Sequence, residues 1–370
     1  MTATPNPRVA SLLLALVTSW ACETPTAESA GGAVDRSAPK ADAIRFFVAN
    51  SGEDDHSVSV IDHATRSVVA SIDVGGQPHG SAPTAAGDRV YVTLESVPEV
   101  LAIDTRSHRI LWRASIEPNP DPRMPSTRLN EPSLVLEDRL LYVPDVAGQR
   151  QVIVDTRRAE MVGQVAMIDP ADGTVMTAPH NTYASADGEW VFATSIFSKK
   201  IAKINADTRR IVRVYDLAGQ PRPAALKDDL KKMYVQFSQL HGFVELDLET
   251  GRETARITWP EKRASPDSFT KCHGIGISPD QKQLWANSNI DGKVYAYSLP
   301  DLEPLGSVVV GDLPNWLAFT PDSRFVYITT QEEKKPRGKV TVVDTTDLSV
   351  VSVIEVGRKP KRIHRVEVRP

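Results

Sequence analysis

The stretch SPDQKQLWANSNIDGKVYAYSLPDLEPLGSVVVGDLPNWLAFTPDSRFVYITT (residues 278–330) contains one complete sequence repeat and the beginning of the next. In both, a polar turn around an Asp leads into an apolar segment with an aromatic residue, first Trp285 and then Tyr327. Short runs of β-branched and aromatic residues separated by Gly, Pro, Asn and Asp are typical of β-strands rather than helices. The stretch therefore predicts a series of short antiparallel strands.

The same aromatic position recurs through the whole chain. A second strand follows it, as in VSVID (58–62), and then a third, as in VVASIDV (68–74). Four short strands in each repeat, seven times over, predict an all-β fold, a seven-bladed β-propeller with four-stranded antiparallel blades. The seven aromatic positions, separated by 44, 51, 50, 42, 51 and 42 residues, are Phe47, Tyr91, Tyr142, Phe192, Tyr234, Trp285 and Tyr327.

The first repeat lacks its innermost strand, because it begins directly at the aromatic strand, residues 45–50. The segment RIHRVEV (362–368) has the alternation of a strand and stands at the other end of the chain. We predict that this C-terminal strand completes blade one and closes the ring, which removes the open sheet edges that an unclosed array would have. The propeller is expected to cover residues 43–370.

The N-terminal residues have the pattern of an export signal. A positive charge precedes an apolar run too short to span a bilayer, and small residues at Ser19 and Ala21 suit cleavage before Cys22. We predict a signal peptide over residues 1–21 and a flexible tether over residues 22–42. Cys22 resembles the acylated cysteine of bacterial lipoproteins, which implies a protein of the periplasm or cell surface that is lipid-anchored to a membrane.

The overall composition is that of a globular protein, with 41% hydrophobic and 24% charged residues in 370. A net charge of −4 gives no reason to expect nucleic acid as a partner. There are two cysteines, so no disulfide framework is expected if Cys22 is acylated or removed. Cys272 is interpreted as a small buried thiol, with a metal ligand or a nucleophile as the alternatives.

Two segments almost a hundred residues apart, APHNTYASADGEWVF (178–192) and KCHGIGISPDQKQLW (271–285), place a histidine twelve positions before their aromatic. In a propeller, the loop that enters each innermost strand opens on one face, around the central channel. We therefore predict a polar funnel on this top face, to which every blade contributes one residue. The seven predicted residues are His79, His180, Arg222, His273, Asn315, Lys361 and, in the third repeat, either Asn130 or Glu131.

The three histidines of this set come from blades two, four and six, so they would surround the channel almost as a triangle. Three imidazoles around one centre are able to hold a transition metal, and Cu, Zn and Fe all accept such a site. Sequence spacing does not choose among these metals. The alternative is that His79, His180 and His273 only bond water or bridge adjacent blades.

Further polar residues are expected on the same face. Arg222 suits an anionic ligand because guanidinium pairs with carboxylate or phosphate through two hydrogen bonds. Asn315 would help to orient such a ligand, and Glu131 is a candidate fourth metal ligand or a partner that orients an imidazole. His241 lies in a neighbouring top-face loop and is a candidate for the ligand entrance.

The repeat at residues 278–330 resembles the YVTN-type propellers related to the cytochrome d1 haem domain. The resemblance covers roughly residues 43–370, and the YVTN motif itself survives as VYVTL (90–94) and VYITT (326–330). It implies the propeller fold but no single function, because the superfamily includes haem-binding, lactonase-like and surface-layer members.

Three functional hypotheses follow for a monomeric protein. In the first, the exported funnel binds a transition metal or cofactor together with a small polar or anionic ligand, and oxidoreductase chemistry is one interpretation. In the second, a non-catalytic propeller binds a protein or small molecule at its top face. In the third, implied by the resemblance alone, the protein binds or matures haem d1; non-covalent haem is the less favoured cofactor.

Overall fold

A computed structural model describes residues 43–124, 126–261, 270–332 and 335–369. These residues form 28 β-strands and contain no helix. The strands build seven antiparallel sheets of four strands each. The predicted all-β, seven-bladed propeller is therefore confirmed. The predicted signal peptide, the tether and Cys22 lie outside the described residues.

The strands of each blade are given in order from the innermost to the outermost. Blade one contains β28 (Pro360–Val368), β1 (Ala43–Gly52), β2 (Asp55–Asp62) and β3 (Ser67–Asp73). Blade two contains β4 (Pro78–Pro83), β5 (Arg89–Leu94), β6 (Glu99–Asp104) and β7 (Ile110–Ser115), and blade three contains β8 (Ser133–Val135), β9 (Leu140–Asp145), β10 (Arg150–Asp155) and β11 (Glu160–Ala166). Blade four contains β12 (Pro179–Ala184), β13 (Trp190–Ser195), β14 (Lys200–Asn205) and β15 (Arg210–Asp216), and blade five contains β16 (Pro221–Leu226), β17 (Lys232–Phe237), β18 (Gly242–Asp247) and β19 (Glu253–Thr258). Blade six contains β20 (Ile275–Ile277), β21 (Gln283–Ser288), β22 (Lys293–Ser298) and β23 (Pro304–Val309), and blade seven contains β24 (Pro314–Phe319), β25 (Phe325–Thr330), β26 (Lys339–Asp344) and β27 (Val350–Glu355).

The ring closes through the C-terminal strand, as predicted. Strand β28 pairs antiparallel with β1, and His364 lies opposite Phe47. The first and last parts of the chain are thus joined in one sheet. Strand β1 then has a partner on both sides, and blade one has four strands like the other blades.

The repeat aromatics form the buried centre of the blades. Phe47, Tyr142 and Tyr234 are 0% exposed, and Tyr327 stacks on Phe46 of the neighbouring blade with ring centroids 3.8 Å apart. Fully burying a large apolar side chain contributes about 1.5–3 kcal/mol. Apolar clusters join residues of adjacent blades, as where Val60 of blade one and Val92 of blade two share a cluster. The blades are therefore held together by side-chain packing at their seams.

A shared irregularity at the top of the inner strands positions the funnel. In β4, β12, β16 and β24 the register with the next strand shifts directly after the first residue, a proline. Such a bulge removes residues from the ladder and changes the direction of a side chain. In three blades a threonine of the second strand accepts the backbone N–H within the bulge: Thr93 from Gly80 at 3.0 Å, Thr194 from Asn181 at 3.1 Å and Thr329 from Trp316 at 3.0 Å.

Candidate functional site

Strand register fixes which residue of each blade stands at the predicted funnel position. In blade two, Ala82 lies opposite the repeat aromatic Tyr91, three residues after His79. In blade three, Ser133 lies opposite Tyr142, so the equivalent residue is Asn130 and not Glu131. The same pairing identifies all seven residues, which we call the ring: His79, Asn130, His180, Arg222, His273, Asn315 and Lys361.

The structure brings the three predicted histidines together. The imidazole centroids of His79 and His180 are 5.9 Å apart, and those of His180 and His273 are 6.5 Å apart. In both pairs the two imidazole planes are close to perpendicular, at 83° and 74°. His79 and His180 are each only 6% exposed, so the opening above them is narrow. Alternate blades therefore deliver their histidines to one small space, as the repeat spacing predicts.

Each of these imidazoles is held through its Nδ1 atom by an oxygen. His79 Nδ1 lies 2.8 Å from Glu95 Oε2, and His180 Nδ1 lies 2.5 Å from the side-chain Oδ1 of Asn181. His273 Nδ1 donates to the backbone carbonyl oxygen of Asn315 at 3.2 Å. Carboxylate, amide and carbonyl oxygens accept hydrogen bonds, so Nδ1 carries the proton of each neutral imidazole and Nε2 keeps its lone pair.

Burial keeps these imidazoles neutral. Burial and then the charge of Lys361 lower the pKa of His79 to about 3. Burial also lowers the pKa values of His180 and His273 well below the usual value of 6.5, and nearby Arg222 adds to both shifts. A desolvated imidazole loses more by becoming charged than one in water does. At neutral pH the funnel thus contains three uncharged imidazoles among fixed cations.

The funnel contains more cationic side chains than acidic side chains that are still unpaired among the described residues. Lys361 Nζ lies 2.9 Å from Glu95 Oε2, the oxygen that also binds His79. Although burial favours the neutral acid, hydrogen bonds from His79 and Lys361 lower the pKa of Glu95 far below its usual value. Arg222 has no such carboxylate: its Nε donates to Ser238 Oγ at 2.7 Å, and no acidic side chain pairs with it among the described residues. The funnel therefore carries a net positive charge.

A buried ion pair lies next to the ring residues. Arg362, which is 0% exposed, donates from Nε to Glu131 Oε2 at 2.9 Å and lies 4.0 Å above the ring of Trp316. The second oxygen of Glu131 accepts a hydrogen bond from His364 Nε2 at 2.7 Å. Arg362 also donates to the side-chain oxygen of Asn315 at 3.2 Å. Both carboxylate oxygens of Glu131 are thus engaged, one by Arg362 and one by His364.

Two important residues were not among the sequence-predicted site residues. Arg362 and Glu95 act on the ring from elsewhere in the chain, Arg362 from β28 and Glu95 from the position directly after β5. The signal for Arg362 is its place one residue after Lys361. The position directly after the ring residue is occupied by Gly80 in blade two and by Gly274 in blade six. A charged residue at this position, such as Arg362, therefore departs from the repeat and indicates a role near the channel.

The structure does not bring every predicted residue to the funnel. His241 lies at the seam of blades five and six, where Nε2 is 2.7 Å from Ser288 Oγ and Nδ1 is 3.1 Å from the carbonyl oxygen of Trp259. Both nitrogens of His241 are therefore occupied away from the ring. Cys272 is buried, accepts a hydrogen bond from the backbone N–H of Gly242, and has a pKa raised by burial.

Within the described ranges, no three His, Cys, Asp or Glu side chains already stand close enough together to hold a metal ion. The predicted metal site at His79, His180 and His273 stays a prediction. None of the described segments is a helix of the length and apolarity needed to cross a membrane.

Curated proteins of related sequence match part of this chain. It is 26% identical to antigen Lp49 of Leptospira interrogans over 185 residues, which cover 46% of the chain and 39% of that protein. It is also 26% identical to the uncharacterized protein YncE of Salmonella typhi over 184 residues, 50% of the chain and 48% of that protein. The chain thus spans less than half the length of these relatives.

Solved structures share its fold. The periplasmic gluconolactonase PpgL of Pseudomonas aeruginosa has a TM-score of 0.67 at 17% identity, with 88% of this chain and 99% of that chain covered. A chain of hydrazine synthase from Kuenenia stuttgartiensis has a TM-score of 0.66 at 18% identity, with 86% and 100% covered. The dihydro-haem d1 dehydrogenase NirN has a TM-score of 0.59 at 15% identity, with 89% and 76% covered. At these identities the likeness shows the fold alone.

The propeller fold implied by the resemblance is confirmed, and a gluconolactonase and a dihydro-haem d1 dehydrogenase are among the structures that share it. A family model described as outer membrane protein assembly factor BamB matches residues 54–302, which is more than half of the 370 residues. The chain therefore belongs to the protein family of that description.

Proposed function

We propose that the funnel binds a small anionic ligand and that Arg222 pairs with the charged group of that ligand. The observation that carries the proposal is the half-buried guanidinium of Arg222, whose one side-chain hydrogen bond goes to Ser238 and which has no carboxylate partner among the described residues. Removing a charge from water is costly unless an opposite charge accompanies it. A carboxylate or phosphate of the ligand would supply that charge through two hydrogen bonds.

The surroundings of Arg222 favour the same type of ligand. Lys361 and Arg362 add positive charge, while the nearby acids Glu95 and Glu131 are already bound to cations and imidazoles. An approaching anion would therefore meet attraction on several sides of a narrow, partly desolvated site, where charge interactions are stronger than in water.

The neutral imidazoles define the other half of the ligand. Because Nδ1 of His79, His180 and His273 is bonded to an oxygen, each Nε2 offers a lone pair. Lone pairs accept hydrogen bonds from hydroxyl or amine groups, or they bind a metal ion. The ligand is expected to be small, since little of His79 and His180 is exposed and Arg362 is fully buried. Oxidoreductase chemistry would require a redox-active ion or cofactor at these lone pairs.

A direct test compares anion binding in the native protein and two arginine variants. Phosphate, citrate and gluconate are titrated into the protein by calorimetry at low ionic strength, where surface electrostatics are least screened. Arg222→Gln is expected to weaken binding about 10- to 100-fold, because a hydrogen bond to a charged group is worth about 1.5–3 kcal/mol. Arg210→Gln, which alters an exposed arginine of β15, is the control and should bind as the native protein does.

The proposal would be wrong if none of the three anions bound, or if Arg222→Gln bound them as tightly as Arg210→Gln. Salt provides a further check. Binding that depends on fixed cations must weaken as ionic strength rises, whereas binding to an uncharged site would not follow salt in this way.

We further propose that this site works outside the cytoplasm, on a protein anchored through Cys22. Support comes from the export pattern of residues 1–21 and from the family description, which names an outer membrane assembly factor. Expression of the full chain and of Cys22→Ala, with labelled palmitate and cell fractionation, tests the proposal. The native chain should carry label in the membrane fraction, and Cys22→Ala should carry none. Equal labelling of the two proteins would exclude acylation at this residue.

A further inference from the structure

We infer that His79, His180 and His273 bind a late first-row divalent transition ion through their Nε2 atoms, and that the ion binds together with an anion held by Arg222. The inference rests on the proposed anion site, because the anion supplies a ligand and a negative charge that the three neutral imidazoles lack. The expected ions are Zn²⁺, Cu²⁺ and Co²⁺, for which imidazole is a suitable ligand.

The hydrogen bonds of the three imidazoles have the form seen in metal sites. Metal-binding histidines almost always donate their other N–H to a carboxylate or carbonyl oxygen, which fixes both the tautomer and the ring orientation. Here Glu95 holds His79, the backbone oxygen of Asn315 holds His273, and the amide oxygen of Asn181 holds His180. In each of the three alternate blades, the oxygen at Nδ1 leaves the Nε2 lone pair available to a metal ion.

The distances are close to those that a metal site requires. With metal–nitrogen bonds of ~2.1 Å and tetrahedral angles, two bound imidazoles have centroids ~5.2 Å apart. The observed separations are 5.9 Å for His79 and His180 and 6.5 Å for His180 and His273. Because the described residues contain no set of side chains already at ligand distance, binding must draw the imidazoles inward.

Electrostatics explain why an anion has to accompany the ion. Lys361, Arg362 and Arg222 all contribute to the electrostatic environment of these histidines, and each opposes the entry of a bare dication. The charge of Glu95 is shared between His79 and Lys361, so it offsets only part of this repulsion. An anion beside Arg222 would contribute the missing negative charge and take the fourth coordination position. Metal and anion should thus bind cooperatively.

The test uses the complete mature protein without a histidine tag, freed of metal by dialysis against a chelator. Co²⁺ is titrated in acetate and, separately, in perchlorate, and binding is followed by visible absorption, which reports the coordination of the ion. Acetate is expected to tighten Co²⁺ binding by about 5- to 150-fold, the usual range of coupling between two ligands. In Arg222→Gln this difference between the two salts should disappear.

Two histidine variants locate the site. His180→Gln should abolish stoichiometric Co²⁺ binding, whereas His56→Gln, at a histidine of β2 outside the ring, should retain it. Glu95→Gln should weaken metal binding about 10- to 100-fold by replacing the charged carboxylate that holds His79 Nδ1 with a neutral amide. Circular dichroism of each variant establishes that it is folded, and His273→Gln replaces His180→Gln if the latter is not.

The outcomes separate this inference from the anion proposal. Anion binding that depends on Arg222, with no stoichiometric Co²⁺ or Zn²⁺ in either salt, would overturn the metal inference and leave the anion proposal standing. Metal binding that is equal in acetate and perchlorate would overturn the coupling inferred here and also count against an anion at Arg222. Metal binding that survives in both His180→Gln and His273→Gln would show that the ion lies elsewhere.

Discussion

Glu131→Gln is expected to lower the free energy of unfolding by about 3–5 kcal/mol, the usual cost of leaving a buried charge without its partner. Arg362 is 0% exposed, and its Nε lies 2.9 Å from Glu131 Oε2. Its other contacts are the amide oxygens of Asn181 and Asn315, at 3.4 and 3.2 Å, and the face of Trp316. These groups are dipoles or a π system, so they do not replace a full negative charge.

Removing the other partner should have a comparable effect. Arg362→Met leaves Glu131, which is 3% exposed, with His364 as its remaining side-chain partner. In the double variant no buried charge is left unpaired. The loss in the double variant should therefore be smaller than the sum of the two single losses, with a coupling energy of about 1–3 kcal/mol.

Urea unfolding at pH 7, followed by tryptophan fluorescence and circular dichroism, measures these values. Glu253→Gln is the matched control, because it breaks a half-exposed ion pair with Arg256 on an outer strand. Its expected cost is about 0–1 kcal/mol. The reasoning would be refuted if Glu131→Gln cost no more than Glu253→Gln, or if the two single costs simply added in the double variant.

Three further predictions concern the ring and its closure. The free energy of unfolding should fall as the pH drops below about 6.5, because the unfolded chain protonates histidines that burial keeps neutral in the folded protein. His180→Gln should reduce the change in this free energy by ~1.4 kcal/mol per pH unit. Urea unfolding midpoints between pH 6 and pH 5 measure the difference. Deleting residues 362–370 should unfold the whole propeller, seen as loss of its cooperative thermal transition, because β1 loses its inner neighbour. Thr194→Val should cost about 1–3 kcal/mol in urea unfolding by leaving the buried N–H of Asn181 without an acceptor, whereas Val at the exposed Thr208 should cost about 0.5 kcal/mol or less.

Each of these three predictions would be contradicted by a specific result. The sign of the pH effect follows from the lowered pKa values: full stability is present above the unfolded value of 6.5 and is lost toward the folded values, which for His79 lie near 3. A slope unchanged by His180→Gln would mean that this histidine is protonated equally in both states. A truncated chain that melted like the full one would disprove closure through β28, and equal losses at Thr194 and Thr208 would remove the role given to the bulge threonines.

The fold was predictable because every blade repeats the same solution. Seven times the sequence repeats a turn, then an aromatic such as Tyr327 at the centre of the second strand, and then a strand of alternating residues. A strand that is placed wrongly in one repeat can therefore be corrected by comparison with the others. The funnel position could be counted in the same way wherever a proline begins the inner strand, as before His180 and Arg222. In blade three the order NEPS lacks that proline before Asn130, and only the pairing of Ser133 with Tyr142 settled the register.

The parts that could not be predicted depend on contacts between distant segments. Arg362 and Glu131 are separated by 231 positions, and they meet only because the last strand closes the ring. Neither residue shows from its neighbours that it will be buried opposite the other. The contacts of His241 could not be predicted for another reason: a place in a top-face loop does not tell whether a side chain turns to the axis or to a seam. Here Ser288 and Trp259 hold His241 at the seam.

In this molecule the strand that closes the propeller also helps to form the funnel. Strand β28 completes blade one, and it also contributes Lys361 to the ring and Arg362 to the buried ion pair with Glu131. Arg222, which has no carboxylate partner among the residues that the structure describes, lies in blade five. An anion bound between Arg222 and Lys361 would join the closing strand to the opposite part of the ring, so ligand binding should stabilise closure as well as the site. By mass action, a ligand present at 100 times its Kd adds about 2.7 kcal/mol to the free energy of unfolding of the propeller. The funnel is therefore expected to exist only in the closed propeller, and its ligand is expected to be one of the forces that keep the propeller closed.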